Sequence, residues 1–254
     1  MKTIVFTNQK GGVGKTTSAV NVGAALALKD KRVLLVDLDP QAALTTSLGI
    51  SAHELEKTIY EVFKGTISIN AALIELERPG KSIWVLPSSL TFSAAETEFS
   101  GEAGREYLLK EALQDLDQEF DYILLDCPPS LGILTINGFT AADEVYIPLQ
   151  TEFLPLHGVT QLIQVYTVVQ KRLNSDLEIT GIIGTMYDGR KRLNRQVISK
   201  IEDYFGDKLF KTMIRTNVSL AEAPSFGQDI FTYNPNSPGA EDYAALANEV
   251  LQRS

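Results

Sequence analysis

Residues 4–17, Ile4-Val5-Phe6-Thr7-Asn8-Gln9-Lys10-Gly11-Gly12-Val13-Gly14-Lys15-Thr16-Thr17, decide the fold. An apolar strand at 4–6 enters a glycine-rich loop, and the loop enters a helix-forming stretch at 16–28. Strand, glycine loop and helix in that order form a phosphate cradle, because glycines let the backbone turn its N–H groups inward. The helix N-terminus adds a partial positive charge, so the loop favours polyphosphate. In such a loop Lys15 reaches the β- and γ-phosphates and the Thr16 hydroxyl ligates Mg²⁺. Gly11, Gly12, Val13, Gly14 and Thr17 complete the wall. The common pattern G-x-x-x-x-G-K-[ST] asks for glycine at position 9. This chain has Gln9 there, followed by a second lysine, Lys10.

Lys10-Gly11-Gly12-Val13-Gly14-Lys15-Thr16-Thr17 resembles the deviant Walker A loop of the ParA/MinD ATPases, whose early lysine is their signature. Three further stretches carry the resemblance: Val36-Asp37-Leu38-Asp39-Pro40-Gln41, Ile123-Leu124-Leu125-Asp126-Cys127-Pro128-Pro129 and Asn217-Val218-Ser219-Leu220-Ala221-Glu222-Ala223-Pro224-Ser225. Together they span essentially the whole chain and look most like chromosomal partition ATPases of the ParA/Soj type. The resemblance implies a slow, partner-stimulated ATPase that uses ATP and Mg²⁺ and forms a homodimer when ATP-bound. Lys10 would reach across that interface to the partner's nucleotide, with Gly11 and Gly12 at the seam. The resemblance also implies nonspecific binding to double-stranded DNA, a ParB-like partner protein and no membrane. It places the adenine near Met186, Asn217 and Pro224.

Asp126 ends the apolar run 122–125, the Walker B arrangement, where a carboxylate orients Mg²⁺ through water. Asp37 and Asp39 follow the run 33–36 and, two apart in extended chain, share a face. By resemblance Asp39 positions the attacking water and Asp37 helps organise the metal shell. The expected catalytic set is therefore Lys10, Lys15 and Asp39, and the expected metal set is Thr16, Asp39 and Asp126. Pro128 and Pro129 stiffen a turn suited to sensing the γ-phosphate.

Apolar runs at 4–6, 33–36, 83–86, 122–125, 145–149, 179–185 and 209–213 read as strands buried on both faces. Helix candidates at 16–28, 105–116, 131–141, 158–172, 194–205 and 240–251 alternate with them, and helical character also shows at 59–63 and 71–76. The expectation is one α/β domain over 1–254: a mostly parallel twisted sheet with helices on both faces. One cysteine, Cys127, excludes a disulfide framework and reads as a packing residue in a cytoplasmic, nucleoid-associated protein. No leader and no membrane-spanning run is expected. His53 and His157 have no partners at metal-ligand spacing, and Trp84 reads as core.

Net charge is −9, yet residues 186–216 carry eight basic residues against four acids, a local +4. Such a segment is a footprint for phosphate contacts without base readout, and Arg190, Lys191, Arg195 and Arg215 are its candidates. Other classes fit less well. A MinD-like membrane-cycling ATPase needs a basic amphipathic C-terminal helix, whereas 241–254 has one basic residue. An iron–sulfur reductase needs more than one cysteine. A metabolic ATP-dependent enzyme on the same loop shows no substrate pocket in the sequence.

Overall fold

The computed structural model describes residues 1–152 and 156–253. Seven strands form one sheet: β1 (Lys2–Phe6), β2 (Val33–Asp37), β3 (Ile74–Arg78), β4 (Lys81–Leu86), β5 (Tyr122–Asp126), β6 (Glu144–Gln150) and β7 (Glu178–Thr185). Their order is β3-β4-β2-β5-β1-β6-β7, parallel except for the edge strand β3. Residues of β2 and β5 are buried throughout, as strands covered on both faces require.

Successive side chains alternate between two cores. Val5, Leu34, Ile123 and Leu125 face one cluster, packed with helices Ile133–Ala141 and Leu156–Arg172. Ile4, Phe6, Leu35 and Leu124 face the other, packed with helices Lys15–Ala27 and Pro238–Arg253. Gly23 lets the first of these helices lie flat, since a Cβ there would come within 2.7 Å of Leu35.

Two sequence readings need correction. Residues 209–213 form no strand. Phe210 N–H does donate to Ile182, but the N–H groups of Lys211 and Thr212 donate to the Glu249 carboxylate, which takes them out of any ladder. Residues 71–76 are not one helix: a short helix, Ile69–Ala72, gives way to β3, which turns back on β4. The signal was Pro79-Gly80, a turn pair between two runs, with Gly80 at φ +74°.

Register places the chemistry. Phe6 pairs with Asp126, and Asp126 with Asp37, so β1, β5 and β2 end level with one another. The loop after β1 therefore meets two carboxylates at the carboxyl edge of the sheet, where open α/β sheets bind ligands.

Candidate nucleotide-binding site

The loop is shaped by its glycines and tied at both sides. Gly12 and Gly14 lie at φ +73° and +90°, where a Cβ would be strained. Gly14 opens helix Lys15–Ala27 with no side-chain cap, which leaves the first-turn N–H groups suited to an anion. Asn8 donates from Nδ2 to the Pro148 carbonyl and accepts Lys10 N–H on Oδ1, at 2.7 and 2.9 Å. Thr185 Oγ1 donates to the Val13 carbonyl at 2.8 Å. Neither Asn8 nor Thr185 stood out in the sequence, because their partners are 140 and 172 residues away.

At the loop's far end Thr16 Oγ1 donates to Asp126 Oδ2 at 2.6 Å, and Lys15 is buried close by. Asp126 is fully buried and its Oδ1 has no hydrogen-bond partner. Burial, reinforced by the neighbouring Asp37, holds its carboxyl well above the usual carboxylate range. Asp37 is equally buried and is pushed up to about 7, chiefly by desolvation, against hydrogen bonds from Thr45 N–H and Oγ1. A buried acid with an orphaned oxygen, Asp126, beside the Thr16 hydroxyl makes a donor pair that a cation would complete. Among the described residues no three His, Cys, Asp or Glu cluster at metal-ligand spacing. That suits Mg²⁺, which takes few protein ligands beside waters and substrate phosphates.

Asp37 and Asp39 part ways in the structure. Asp37 spends both oxygens on its own loop, accepting Thr45 on Oδ2 and Asp39 N–H on Oδ1. Asp39 is half-buried and accepts only Gln41 N–H among the hydrogen bonds resolved for its side chain, at 2.9 Å. Asp37 thus holds the turn that presents Asp39.

A cavity of about 230 Å³ opens beside Gly14 and Thr17, walled by Met186, Ile214, Asn217 and Leu220. Its apolar walls suit a flat aromatic base. Met186 adopts φ +53°, rare for a side chain of its size, and its carbonyl accepts Thr151 Oγ1. Asn217 caps helix Val218–Glu222 through its side-chain oxygen. Pro224 lines an adjoining cleft of about 30 Å³ that shares Thr17 and Leu220 with this cavity and also touches Thr16.

Lys10 is half-buried and its Nζ donates to Gln150 Oε1 at 2.8 Å. Among the described residues, a Cβ added at Gly11 or Gly12 would meet nothing within 4 Å. The four basic candidates are exposed, but their charges are spoken for. Arg190 pairs with Asp188 at 3.0 Å, Lys191 with Glu152 at 2.6 Å, and Arg195 donates to the Gly189 carbonyl. Arg215 is the most committed: it meets Glu241 at 2.6 Å and the largely buried Asp242 at 2.7 Å. These bonds push its guanidinium further up. His53 contacts only Glu54 among the ion pairs found, and the His157 side chain lies outside the described residues. Cys127 is buried, with its thiol pushed up by desolvation and by Asp126, so it is no nucleophile. Trp84 packs edge-on against Phe120.

Residues 1–179 match a protein family described as an AAA domain. Over 252 residues the chain is 47% identical to the chromosome-partitioning ATPase Soj of Treponema pallidum, covering 99% of this chain and 98% of the relative. The chain belongs to the ParA/Soj family of deviant Walker A ATPases. It is also 47% identical over 253 residues to the sporulation initiation inhibitor protein Soj of Bacillus subtilis, covering 98% of each. Among solved structures it resembles a cobyrinic acid a,c-diamide synthase from Mycobacterium smegmatis with bound ATP analogue and magnesium. The TM-score is 0.88 at 37% identity, over 100% of this chain and 95% of that one. No helix among the described residues is long and apolar enough to cross a membrane.

Proposed function

We propose that this ParA/Soj-family chain is a nucleotide switch for partition: it binds ATP with Mg²⁺, dimerises around it, and hydrolyses it slowly. The observation that carries the reading is the buried, unpartnered Asp126 Oδ1 beside Thr16 at the foot of the phosphate loop. Mg²⁺ bound there would neutralise charge on the β- and γ-phosphates. Lys15 and the loop bind the phosphates, Thr16 and Asp126 hold the cation's shell, and Met186 and Asn217 flank the base. Asp39, presented by the Asp37-anchored turn, orients the attacking water. Lys10 acts in trans, moving from Gln150 to the partner's nucleotide, and the open faces of Gly11 and Gly12 admit that partner. In the dimer Arg190, Lys191 and Arg195 of both copies face duplex phosphates, while Arg215 braces helix Pro238–Arg253. A ParB-like protein stimulates turnover and links the switch to its cargo.

The likeness to a diamide synthase raises a second reading, amide synthesis driven by ATP. Drawing ammonia from glutamine takes a reactive thiol, and the chain's one cysteine is buried with its thiol held protonated. Partition is favoured by that chemistry and by the higher identity to the Soj proteins.

Two variants test the division of roles. Lys15→Ala is expected to lose ATP binding, because it removes the charge facing the phosphates. Asp39→Ala is expected to bind ATP, hydrolyse it poorly and accumulate as dimer. Titration calorimetry and size-exclusion chromatography with ATP read both, and equal loss of binding in the two variants refutes the assignment.

A further inference from the structure

At and just past the end of β6 stand Gln150, the resting place of Lys10, and Glu152, which the mechanism above leaves unused. Gln150 accepts Lys10 Nζ on Oε1 at 2.8 Å and donates from Nε2 to Glu152 Oε2 at 3.3 Å. Glu152 accepts Lys191 Nζ on its other oxygen at 2.6 Å. Four side chains thus run from the phosphate loop's first lysine to the basic segment. Their backbone is anchored by Thr151, fully buried between them. Its N–H donates to the Thr185 carbonyl, and its own carbonyl accepts Asn194 Nδ2. Buried Asn194 also accepts Asp188 N–H at 2.7 Å, so the loop that carries Arg190 and Lys191 hangs from the same point.

We propose that Glu152 is a positioning residue that keeps Lys191 off duplex phosphates while Gln150 keeps Lys10 at home. This inference rests on the DNA-binding dimer described above. A single ammonium cannot sit on Gln150 and on the partner's nucleotide at once. When Lys10 leaves, the Gln150 amide loses the donor that orients its oxygen, and Glu152 loses a fixed partner for its second oxygen. What remains between Glu152 and Lys191 is an exposed ion pair, 42% and 51% accessible, and such pairs hold weakly. Duplex phosphates then compete for Lys191 on favourable terms. Coupling of this kind is reciprocal, so duplex that engages Lys191 also eases Lys10 away from Gln150 and favours the dimer.

The test is fluorescence anisotropy on a duplex of arbitrary sequence, with ADP and with ATP, for wild type, Glu152→Gln, Lys191→Gln and the double variant. Glu152 is exposed, so its variant is expected to fold, and a melting curve checks this. Glu152→Gln is expected to tighten binding in ADP roughly five- to tenfold at about 0.1 M salt, the worth of one recovered phosphate contact per chain. In ATP it should change affinity by less than about twofold, since Lys191 is already released there. The gain should disappear when Lys191→Gln is added. Gln150→Leu, which cuts the relay at its other joint, should shift the ADP form the same way by a smaller factor. Equal tightening in both nucleotides, a gain that survives without Lys191, or no gain at all overturns the proposal. Wild type that fails to bind duplex with ATP defeats the DNA reading itself. ATP-dependent wild type with an unresponsive Glu152→Gln defeats the positioning role alone.

Discussion

The phosphate-loop corner and the basic segment at 186–216 are both polar and both crowded with charge, yet they are built on opposite terms. At the loop, Asp37, Asp126 and Lys15 are buried, and one carboxylate oxygen lacks any partner. In the basic segment the candidate cations are exposed, and three of the four already rest on carboxylates. The first region stores unmet demand that a ligand satisfies. The second holds its charges in local pairs, so a partner must displace an acid before it gains a contact. Buried polar groups left short are costly and exposed pairs are cheap to break. On the function proposed above, the loop would be the site of tight chemistry and the basic segment the site of weak, adjustable contact.

The largest expected effect comes from the loop's open side. Gly11 lies outside the left-handed region, and a Cβ there meets nothing within 4 Å among the described residues. Gly11→Val should keep the fold and ATP binding while abolishing the ATP-dependent dimer, read by size-exclusion chromatography. Gly12 is a poorer probe, since at φ +73° any side chain strains the loop itself. A dimer that forms normally with Gly11→Val removes the seam from this face.

Arg215 and Arg190 sharpen the contrast within the basic segment. Arg215→Ala strands the Asp242 carboxylate, which also accepts Arg215 N–H at 2.8 Å, so it should lower the melting temperature by several degrees. Arg190→Ala should change the melting temperature little, because the Arg190 side chain is exposed and such pairs hold weakly. The reverse ranking would make Arg215 the surface contact and Arg190 the brace.

The buried acids set a pH dependence of stability. Asp37 is raised to about 7 in the folded chain and titrates near 3.8 when unfolded. Between those values the folded state holds a proton that the unfolded state has lost, so stability falls as pH rises from about 4 to about 7 and then levels. Asp126 is shifted the same way. Melting curves without nucleotide or Mg²⁺ should show the decline, and Asp37→Asn should flatten it; stability rising through that window contradicts the burial argument.

The smallest effect is expected for single surface cations. Arg190→Ala should reduce the log–log salt slope of duplex binding by about 0.9 for each phosphate lost, equally on unrelated sequences. A sequence-selective loss would point to base contacts instead.

How far each region was legible follows from the same contrast. The loop was readable because its pattern is written in adjacent residues, Lys10 to Thr17, and β2 and β5 each end in their acid, Asp37 and Asp126. The strands at 4–6, 33–36, 83–86, 122–125, 145–149 and 179–185 were readable because burial on both faces leaves unbroken apolar runs. The run 209–213 misled because apolar residues there fill a core while Glu249 claims its N–H groups. Counting charges in 186–216 could not show that Glu152, Glu241 and Asp242 lie against them, since those acids belong to distant segments.

The central claim is that Lys10 serves the partner's nucleotide while Asp39 serves its own. Mixed dimers of one Lys10→Ala chain and one Asp39→Ala chain test it, with partner-stimulated phosphate release as the readout. Acting in trans, the Asp39→Ala chain lends its Lys10 to an intact site, so each mixed dimer, purified from the homodimers, should keep about half of wild-type turnover although either homodimer is nearly inactive. If Lys10 acts within its own chain, both sites of the mixed dimer are damaged. Turnover no higher than that of the two homodimers would contradict the account.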